Sequence, residues 1–420
     1  MRLYLSIIGL LFFAVAKASS ILIPMDESQK NHLKAYGIAF WLLENEQEVD
    51  WLLNYRGGSF MLAQTLEAET ECKLRGVGYE VITAAKANSI LAQIASPEEN
   101  MNVVSLLTVP KIAVYSPKTK QPWDDAVTLV LSYAEIPYTV IFDDEVLGDT
   151  LLEFDWLHLH HEDFSGQYGK FYAGYRSQPW YQDQVAEAEA MALKHGFKKV
   201  SELKLAVAQK IRDFTLGGGF LFAMCSATDS YDISLASDET DICHSVFDGD
   251  PIDQNCQQKL NYKNTFAFKD FTLSQNIYEY EFSDIDVNPD PRVRGVKEET
   301  DIFTLFDYSA KADVVPTILC QNHTRTIKGF MGQTTAFKKP LVKSNVLIMG
   351  ENVLLNEAKY IHSEMGKGTF TFYGGHDPED YQHMVGEPPT DLALNPNSPG
   401  YRLILNNILF PSAKKNKLKT

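Results

Sequence analysis

Short apolar runs alternate with amphipathic segments along most of this 420-residue chain. Residues 111–115 and 155–160 are apolar runs of strand length, and residues 124–135 and 200–216 carry apolar side chains at helical spacing. Strands that alternate with helices indicate parallel strands, joined by right-handed crossovers in one sheet. The pattern therefore predicts the α/β fold class.

Breaks in this pattern divide the chain into parts. We predict an N-terminal α/β unit over residues 19–105 and a larger α/β domain over residues 106–413. Within the larger domain, residues 241–315 are rich in Asp, Asn and aromatic side chains, and we predict that they form an inserted cap. Residues 414–420 are basic and polar, which is typical of a frayed tail.

The first residues have the features of a secretory signal peptide over residues 1–18. Arg2 precedes an apolar run over 3–15, and a small-residue cleavage site ends at Ala18, so the mature chain is expected to begin at Ser19. The apolar run is short for a membrane span, and a retained N-terminal anchor is the alternative. No later segment is apolar enough to cross a membrane. We therefore expect an exported protein, periplasmic or associated with the envelope.

Charge and cysteine content narrow the class of protein. A net charge of −17 argues against nucleic acid as a partner, because phosphates require a basic face. There are five cysteines and no CxxC pair, so a zinc knuckle is not expected, and at least one thiol stays free. Cys243 and Cys256 bracket a loop-like segment and are the candidates for a disulfide. The sequence predicts no cofactor.

The most informative stretch is residues 217–229, where three glycines precede an apolar strand that ends at Cys225. Small residues follow the cysteine, as in a strand–turn–helix elbow that presents a nucleophile. The N-terminal end of the next helix would favour a thiolate and lower the pKa of the thiol. A cysteine at the end of a buried strand is also commonly a small apolar filler, so both interpretations stay open.

A second motif places a histidine just past a strand. His376 follows an apolar run and two glycines, and either Asp377 or Glu379 could orient its ring. Because functional groups gather at the carboxyl ends of parallel strands, Cys225, His376 and one of these two carboxylates form the predicted catalytic set. The alternative is a loop histidine bonded to the backbone.

Residues 158–163 supply further candidates. On a strand, the side chains of His158 and His160 would lie on one face of the sheet, and that of His161 on the other. His158, His160 and Asp163 are a weaker alternative, a Zn²⁺ site. The simpler interpretation is a polar strand end that lines a cleft for a small-molecule substrate, amide or sugar-like. The residues predicted to contact substrate are His158, His160, Ser226, Asp229 and Gly375.

The two strand-end motifs resemble those of a known superfamily. The glycine-rich strand with its Ala-Thr-Asp turn in 217–229, and the Gly-Gly-His sequence ahead of helix 401–409, resemble the ThuA-like proteins. These belong to the class I glutamine amidotransferase-like superfamily. The resemblance implies a flavodoxin-like parallel sheet over residues 111–411, with the inserted cap excepted.

The same resemblance bears on the catalytic set. In the amidotransferases of this superfamily a cysteine sits at the elbow, and an H-P-E motif supplies the other two members of the triad. Cys225 stands at the elbow position. His376, Pro378 and Glu379 resemble the H-P-E motif with Asp377 inserted. The resemblance therefore implies a Cys-His-Glu site.

A wider resemblance covers nearly the whole chain. Segments 23–26, 54–60, 158–163 and 329–334 look like those of exported Bacteroidota proteins labelled asparagine synthetase B. That label implies ATP-dependent amidation of aspartate, yet residue 2 is not the cysteine such synthetases use and the S-G-G-x-D-S loop is absent. The cysteine at the elbow favours a cysteine-dependent amidohydrolase, whereas the irregular elbow glycines and the split H-P-E motif favour a protein without catalysis. A non-catalytic binding or envelope-assembly protein and a metal-dependent hydrolase are the alternatives.

Overall fold

The computed structural model describes residues 19–119, 121–288 and 290–413, so the predicted signal peptide and basic tail lie outside the described residues. The helices are α1 His32–Glu44, α2 Leu66–Leu74, α3 Ala84–Ala95, α4 Ala126–Ala134, α5 Asp143–Leu147, α6 Tyr172–Tyr175, α7 Pro179–Lys194, α8 Val200–Gly217, α9 Ala227–Ala236, α10 Ser245–Asp248, α11 Cys256–Lys259, α12 Pro291–Arg294, α13 Val314–Leu319 and α14 Pro399–Leu409. The strands are β1 Ser20–Ile23, β2 Val49–Leu53, β3 Ser59–Ala63, β4 Glu80–Ile82, β5 Asn102–Leu106, β6 Ile112–Tyr115, β7 Thr139–Ile141, β8 Trp156–Leu159, β9 Phe220–Met224, β10 Ile302–Leu305, β11 Thr326–Lys328, β12 Phe337–Lys338, β13 Leu347–Asn352, β14 Glu357–Met365 and β15 Gly368–Tyr373.

Polar side chains fix where several helices begin. Asn31, Thr65 and Thr83 each accept a hydrogen bond from a backbone amide in the first turn of the helix that follows. Asp125 does the same for α4, where it accepts from the amides of Val127 and Thr128. Such caps satisfy amides that have no partner inside the helix. Asp125 is consequently held in a fixed place at the edge of the sheet.

The N-terminal strands form a separate antiparallel sheet in the order β4-β1-β3-β2-β5. The prediction of parallel strands in one sheet is therefore wrong for this part of the chain. The reason is a tight turn between β2 and β3, in which Asn54, Gly57 and Gly58 all adopt positive φ. Glycine reaches this conformation without strain, so the chain reverses tightly here and β3 pairs antiparallel with β2.

The second sheet has the order β11-β10-β13-β14-β15-β9-β8-β6-β7, with β12 paired to β14. The strands β15, β9, β8, β6 and β7 run parallel, and the strands on the other side of β15 are antiparallel. The predicted α/β class with parallel strands is confirmed. The predicted cap is wrong at its end, because β10 belongs to this sheet and lies between β11 and β13.

Alternating side chains bury both faces of the parallel strands. Phe222 and Met224 of β9 face the core that α1, α4 and α14 complete, whereas Leu221 and Ala223 face the core of α7, α8 and α9. Helices therefore cover both faces, as parallel sheets require. Among the described residues, no helix combines the length and the apolar character needed to cross a bilayer.

Candidate functional site

The carboxyl ends of β8, β9 and β15 lie side by side at one edge of the large sheet. Cys225 follows β9, His376 follows β15 after two glycines, and His160 and His161 follow β8. Adjacent parallel strands deliver these residues to the same place. Cys225, His161 and His376 line one cavity of about 640 Å³.

Cys225 occupies a sharp turn between β9 and α9. Its φ is +51°, a left-handed conformation that side chains other than glycine adopt at a cost. The surrounding bonds hold the turn: Thr228 donates to the Cys225 carbonyl from both its amide (3.1 Å) and its hydroxyl (2.7 Å). The Ala227 amide donates to the carbonyl of His160 at 2.8 Å. The elbow is thus a defined feature that fixes the direction of the thiol.

Backbone amides surround the sulfur of Cys225. Those of Thr334, Gln333 and Ser226 lie near Sγ and favour its charged form, which acts to lower the pKa of the thiol. Burial acts in the opposite direction and is the larger effect, so the pKa of the Cys225 thiol lies above its ordinary value. The expectation of a lowered pKa is therefore wrong. One of these amides directly follows Cys225 and the other two belong to a separate loop, which is the chain arrangement that oxyanion-hole donors commonly have.

That separate loop, residues 329–336, is anchored by buried polar groups. The Thr334 hydroxyl donates to Asp229 at 2.8 Å, and the Thr335 amide donates to Asp286 at 2.8 Å. Lys359, which is almost fully buried, donates to the carbonyls of Phe330 and Thr335. Asp229, Asp286 and Lys359 thus hold the loop in place beside the elbow, and these bonds fix the direction of its backbone amides.

Gly332 allows this loop to approach the elbow. A Cβ at this position would lie 3.1 Å from Cys225 Sγ and 2.8 Å from the His376 amide nitrogen. The neighbouring backbone is bonded across the same gap, since the His376 amide donates to Met331 at 2.9 Å and the Gly375 amide to Thr334 at 2.7 Å. Only glycine fits here, and the loop therefore joins the two predicted motifs.

His376 lies within a group of histidine rings. Its ring centroid is 4.5 Å from that of His160, 5.7 Å from that of His161 and 4.3 Å from that of His383. Burial, followed by the neighbouring rings, holds the pKa of His376 well below its usual range, and that of His161 likewise. Both rings are therefore neutral. No hydrogen bond joins Cys225 Sγ to a ring nitrogen among the described residues.

Glu379 does not orient His376. Its backbone amide donates to Asp377 at 2.8 Å, and its carboxylate is hydrogen-bonded by Ser398. The residue inserted between His376 and Pro378 turns the following chain away from the ring. The predicted Cys-His-Glu arrangement is thus corrected to a Cys225 and His376 that share a cavity without the carboxylate.

The weaker zinc alternative of the sequence also needs correction. His158 uses both ring nitrogens, one toward the Phe222 carbonyl at 3.3 Å and the other toward Asp125 at 3.1 Å. Asp163 accepts from three loop amides, those of Ser165, Gln167 and Gly169. Neither His158 nor Asp163 therefore has a free ligand atom directed at a shared point.

Asp124 and Asp125, which the sequence analysis did not single out, lie at salt-bridge distance from histidines around the cavity. Asp125 lies 3.1 Å from His158 and 3.3 Å from His160. Burial alone would raise the pKa of Asp125, yet these histidines hold it well below its usual range. His383 lies between Asp124 at 3.1 Å and Asp380 at 2.9 Å. In the sequence, the one feature that marks Asp124 and Asp125 is their position as an acidic pair immediately before α4.

The five residues predicted to contact substrate lie behind the cavity wall and not in it. The cavity wall does not include His158, His160, Ser226, Asp229 or Gly375 among the described residues. Instead Ser226 and Asp229 shape the elbow and its loop, and Gly375, with φ +94°, turns the chain after β15. The wall mixes polar residues with four aromatic side chains, Trp123, Phe171, Tyr175 and Tyr280.

The cysteines are all unpaired within the described residues. The disulfide considered between Cys243 and Cys256 does not form. The thiol of Cys243 donates to the carbonyl of Ser165 at 3.2 Å, and Gln275 donates to the sulfur of Cys256 at 3.1 Å. Each sulfur is thus engaged with a different partner.

No family model and no curated protein matches this chain. Two solved structures are similar to it. Cytoplasmic Protein STM3548 from Salmonella typhimurium is 8% identical with a TM-score of 0.35, over 71% of this chain and 97% of that one. Cytoplasmic Protein STM1381 from Salmonella typhimurium LT2 is 10% identical with a TM-score of 0.35, over 72% of this chain and 100% of that one. Similarity at this level supports no conclusion about function.

Proposed function

We propose that this protein is a thiol-dependent hydrolase that cleaves a small amide or ester, with Cys225 as its nucleophile. One observation carries the proposal: a cysteine at φ +51° in a strand–helix elbow, whose sulfur faces three backbone amides and opens on a cavity. A structural filler has no need of a strained backbone or of amide donors. Both features are those of an activated nucleophile.

In the proposed reaction, the thiol sulfur attacks the carbonyl carbon of the substrate, and its proton passes to a neutral imidazole of the cavity. The carbonyl oxygen becomes an oxyanion that the amides of Ser226, Gln333 and Thr334 can stabilise. The carbon–nitrogen or carbon–oxygen bond then breaks, and the leaving group takes the proton from the imidazole. Water cleaves the resulting thioester, which releases a carboxylic acid and restores the thiol.

The proton acceptor in this scheme is His376 or His161, since both rings are neutral and line the cavity beside Cys225. A neutral imidazole can take up a proton, whereas an imidazolium cannot. The thiol is also neutral, so proton transfer accompanies the attack of sulfur and no preformed thiolate–imidazolium pair is involved.

The finer description of the fold is part of the proposal. Numbered in chain order, the parallel strands β6, β7, β8, β9 and β15 lie in the order 2-1-3-4-5. This is the strand order of flavodoxin-like folds, in which ligands bind at the carboxyl edge. It supports assignment to the class I glutamine amidotransferase-like superfamily. We further propose that the chain as a whole is related to the exported family labelled asparagine synthetase B, on the basis of the sequence segments that resemble it.

We also propose export, on the basis of the signal-like residues 1–18. N-terminal sequencing of the protein from the cells that make it should begin at Ser19. An intact Met1 on the recovered protein would contradict the proposal.

A non-catalytic binding protein on the same fold is the second candidate. The raised pKa of Cys225 and the lack of a carboxylate on His376 favour it, because both features slow covalent catalysis. The two candidates differ in one outcome. A hydrolase forms a covalent acyl intermediate at Cys225, and a binding protein does not.

The test is to incubate metal-stripped protein with p-nitrophenyl acetate and to measure p-nitrophenol release and intact mass. We expect an acetyl adduct that maps to Cys225 and that decays when the ester is removed. Cys225→Ala should lose the adduct, while Cys320→Ala, a change outside the cavity, should keep it. Acetylation of other side chains alone, or none in the folded wild type, would sink the hydrolase proposal and favour the binding protein.

A further inference from the structure

We propose that His160, His161 and His376 bind one divalent transition-metal ion of the zinc type at the floor of the cavity. The proposal does not depend on thiol chemistry at Cys225, because it rests on these three side chains alone. Each offers a ring nitrogen, and the three nitrogens lie within 4.8 Å of one another.

The spacing of the rings suits a single ion. With Zn–N distances of about 2.0–2.1 Å, tetrahedral geometry places ligand nitrogens about 3.4 Å apart. The three histidines therefore need only small side-chain rotations to reach a common point. The ring centroids support this, since His160 is 4.6 Å from His161 and 4.5 Å from His376.

Their ring nitrogens are buried and have no hydrogen-bond partner. This holds for Nε2 of His160, Nδ1 of His161 and Nε2 of His376, which is one nitrogen of each ring. His160 is 1% exposed and His376 is 6% exposed. A buried polar atom without a partner is costly, and several at one point indicate an absent ligand. A cation with lone-pair acceptor sites satisfies all of them together.

The residues behind the cluster fit the same role. Asp125 lies 3.3 Å from Nδ1 of His160, which leaves Nε2 of that ring for an ion. A carboxylate behind a ligating histidine orients the ring and increases its basicity. The cap that Asp125 provides for α4 holds this carboxylate in position. We therefore assign Asp125 as a positioning residue for the metal site.

The ligand count points to an open coordination site. Three protein ligands leave the fourth tetrahedral position free, as in catalytic zinc centres. His161 and His376 both line the cavity, so the free position faces the space that a substrate would occupy. An ion here could polarise a carbonyl or bind a carboxylate or hydroxyl group of that ligand.

A neighbouring group of ligand type is less suitable. Asp124, His376 and His383 also converge, but His383 lies between Asp124 at 3.1 Å and Asp380 at 2.9 Å. Both ring nitrogens of His383 thus lie at salt-bridge distance from a carboxylate, so an ion bound through Nε2 would have to replace the pairing with Asp124. The two groups share His376, so one ion can occupy one group or the other.

An ion at this site would use the ring nitrogens that the thiol mechanism requires as proton acceptors. The two roles exclude each other on the same ring, which is why the acylation test uses metal-stripped protein. Loss of metal binding and loss of acylation are therefore separate results. Failure of one proposal leaves the other standing.

The experiment is a titration of metal-stripped full-length protein with Co²⁺, followed by visible absorption and by displacement with Zn²⁺. We expect one equivalent to bind, with the absorption bands of low-coordinate Co²⁺ that has nitrogen ligands. His161→Ala and His376→Ala should each weaken binding by more than about 100-fold, and Asp125→Asn by about 10- to 100-fold. Circular dichroism and thermal unfolding show whether each variant is folded.

Two further variants sharpen the result. His195→Ala changes a histidine that pairs with Asp144 outside the cavity, and its affinity should equal that of the wild type. His383→Ala should also retain binding. No binding of Co²⁺ or Zn²⁺ at micromolar concentrations, or a loss of binding caused by His383→Ala but not by His161→Ala, would overturn the proposal.

Discussion

Two walls of the cavity differ in how their polar groups are satisfied. On the sulfur side, Asp229, Asp286 and Lys359 anchor the loop over residues 329–336, and its amides face Cys225. On the histidine side, buried ring nitrogens have no partner. The loop of the first wall is already held by hydrogen bonds, although one oxygen each of Asp229 and Asp286 has no partner, whereas the second wall has unpartnered nitrogens on three rings. The comparison shows that one side of a site can be held in place by its own hydrogen bonds while the other side leaves polar atoms available to bind a ligand.

The largest effect is expected from Gly332→Ala, which should break the sulfur wall. The added methyl group would lie 3.1 Å from Cys225 Sγ and 2.8 Å from a backbone nitrogen, so the loop must move away. Acylation of Cys225 should fall by about 100-fold or more, the loss typical of a removed oxyanion donor. Intact-mass kinetics measure this. Gly217→Ala, where a Cβ meets nothing within 4 Å, is the matched control and should acylate normally.

The next effect concerns the anchor of the same loop. Lys359→Met leaves the carbonyls of Phe330 and Thr335 without donors in a buried place, at about 1–3 kcal/mol each. The free energy of unfolding should fall by about 2–4 kcal/mol in urea titrations. Lys338→Met alters a nearby exposed lysine and should change stability by less than about 0.5 kcal/mol. Equal stability of the two variants would show that Lys359 does not anchor the loop.

The smallest effect is a pH dependence at Asp229. Burial raises the pKa of this carboxyl to about 7, so the folded protein binds its proton more tightly than the unfolded chain does. The stability it confers is therefore present at low pH and decreases as pH rises from about 4 to about 7. Asp229→Asn keeps an acceptor for the Thr334 hydroxyl and should be more stable than the wild type at pH 7 by about 1–3 kcal/mol.

Unfolding measured across this pH range tests the prediction. The difference between Asp229→Asn and the wild type should narrow below about pH 4. Asp213→Asn, an exposed change on α8, should follow the wild-type curve at every pH. A constant difference across the range would mean that Asp229 is ionised in the folded protein throughout.

Much of the parallel core could be predicted from the sequence. The apolar runs that end in Cys225 and His376 are the strands β9 and β15, and they are neighbours in the sheet. The helical spacing over residues 200–216 agrees with α8, which spans Val200–Gly217. Such elements follow from local pattern, and the placing of strand-end residues at one edge follows from parallel pairing.

The remainder depended on contacts between distant parts of the chain. The sequence placed His161 opposite His160 by strand alternation, but β8 ends at Leu159, so both residues lie beyond the strand and their ring centroids are 4.6 Å apart. Of the two, His161 lines the cavity and His160 lies behind it. The loop that covers the sulfur is more than 100 residues from Cys225 in the chain. The need for glycine at position 332 is visible only in the structure, where this loop packs against Cys225 and His376.

The most direct test of the central claim is alkylation of the folded, metal-stripped protein with iodoacetamide, followed by peptide mapping. Cys225 lines the cavity, whereas Cys72 is buried elsewhere and the half-buried Cys320 lies outside the cavity. We therefore predict that Cys225 is modified before Cys72 and Cys320, and that its rate rises with pH because burial raises the pKa of its thiol. If Cys225 stays unmodified until denaturant is added, it is a buried filler, and the account of a poised nucleophile is contradicted.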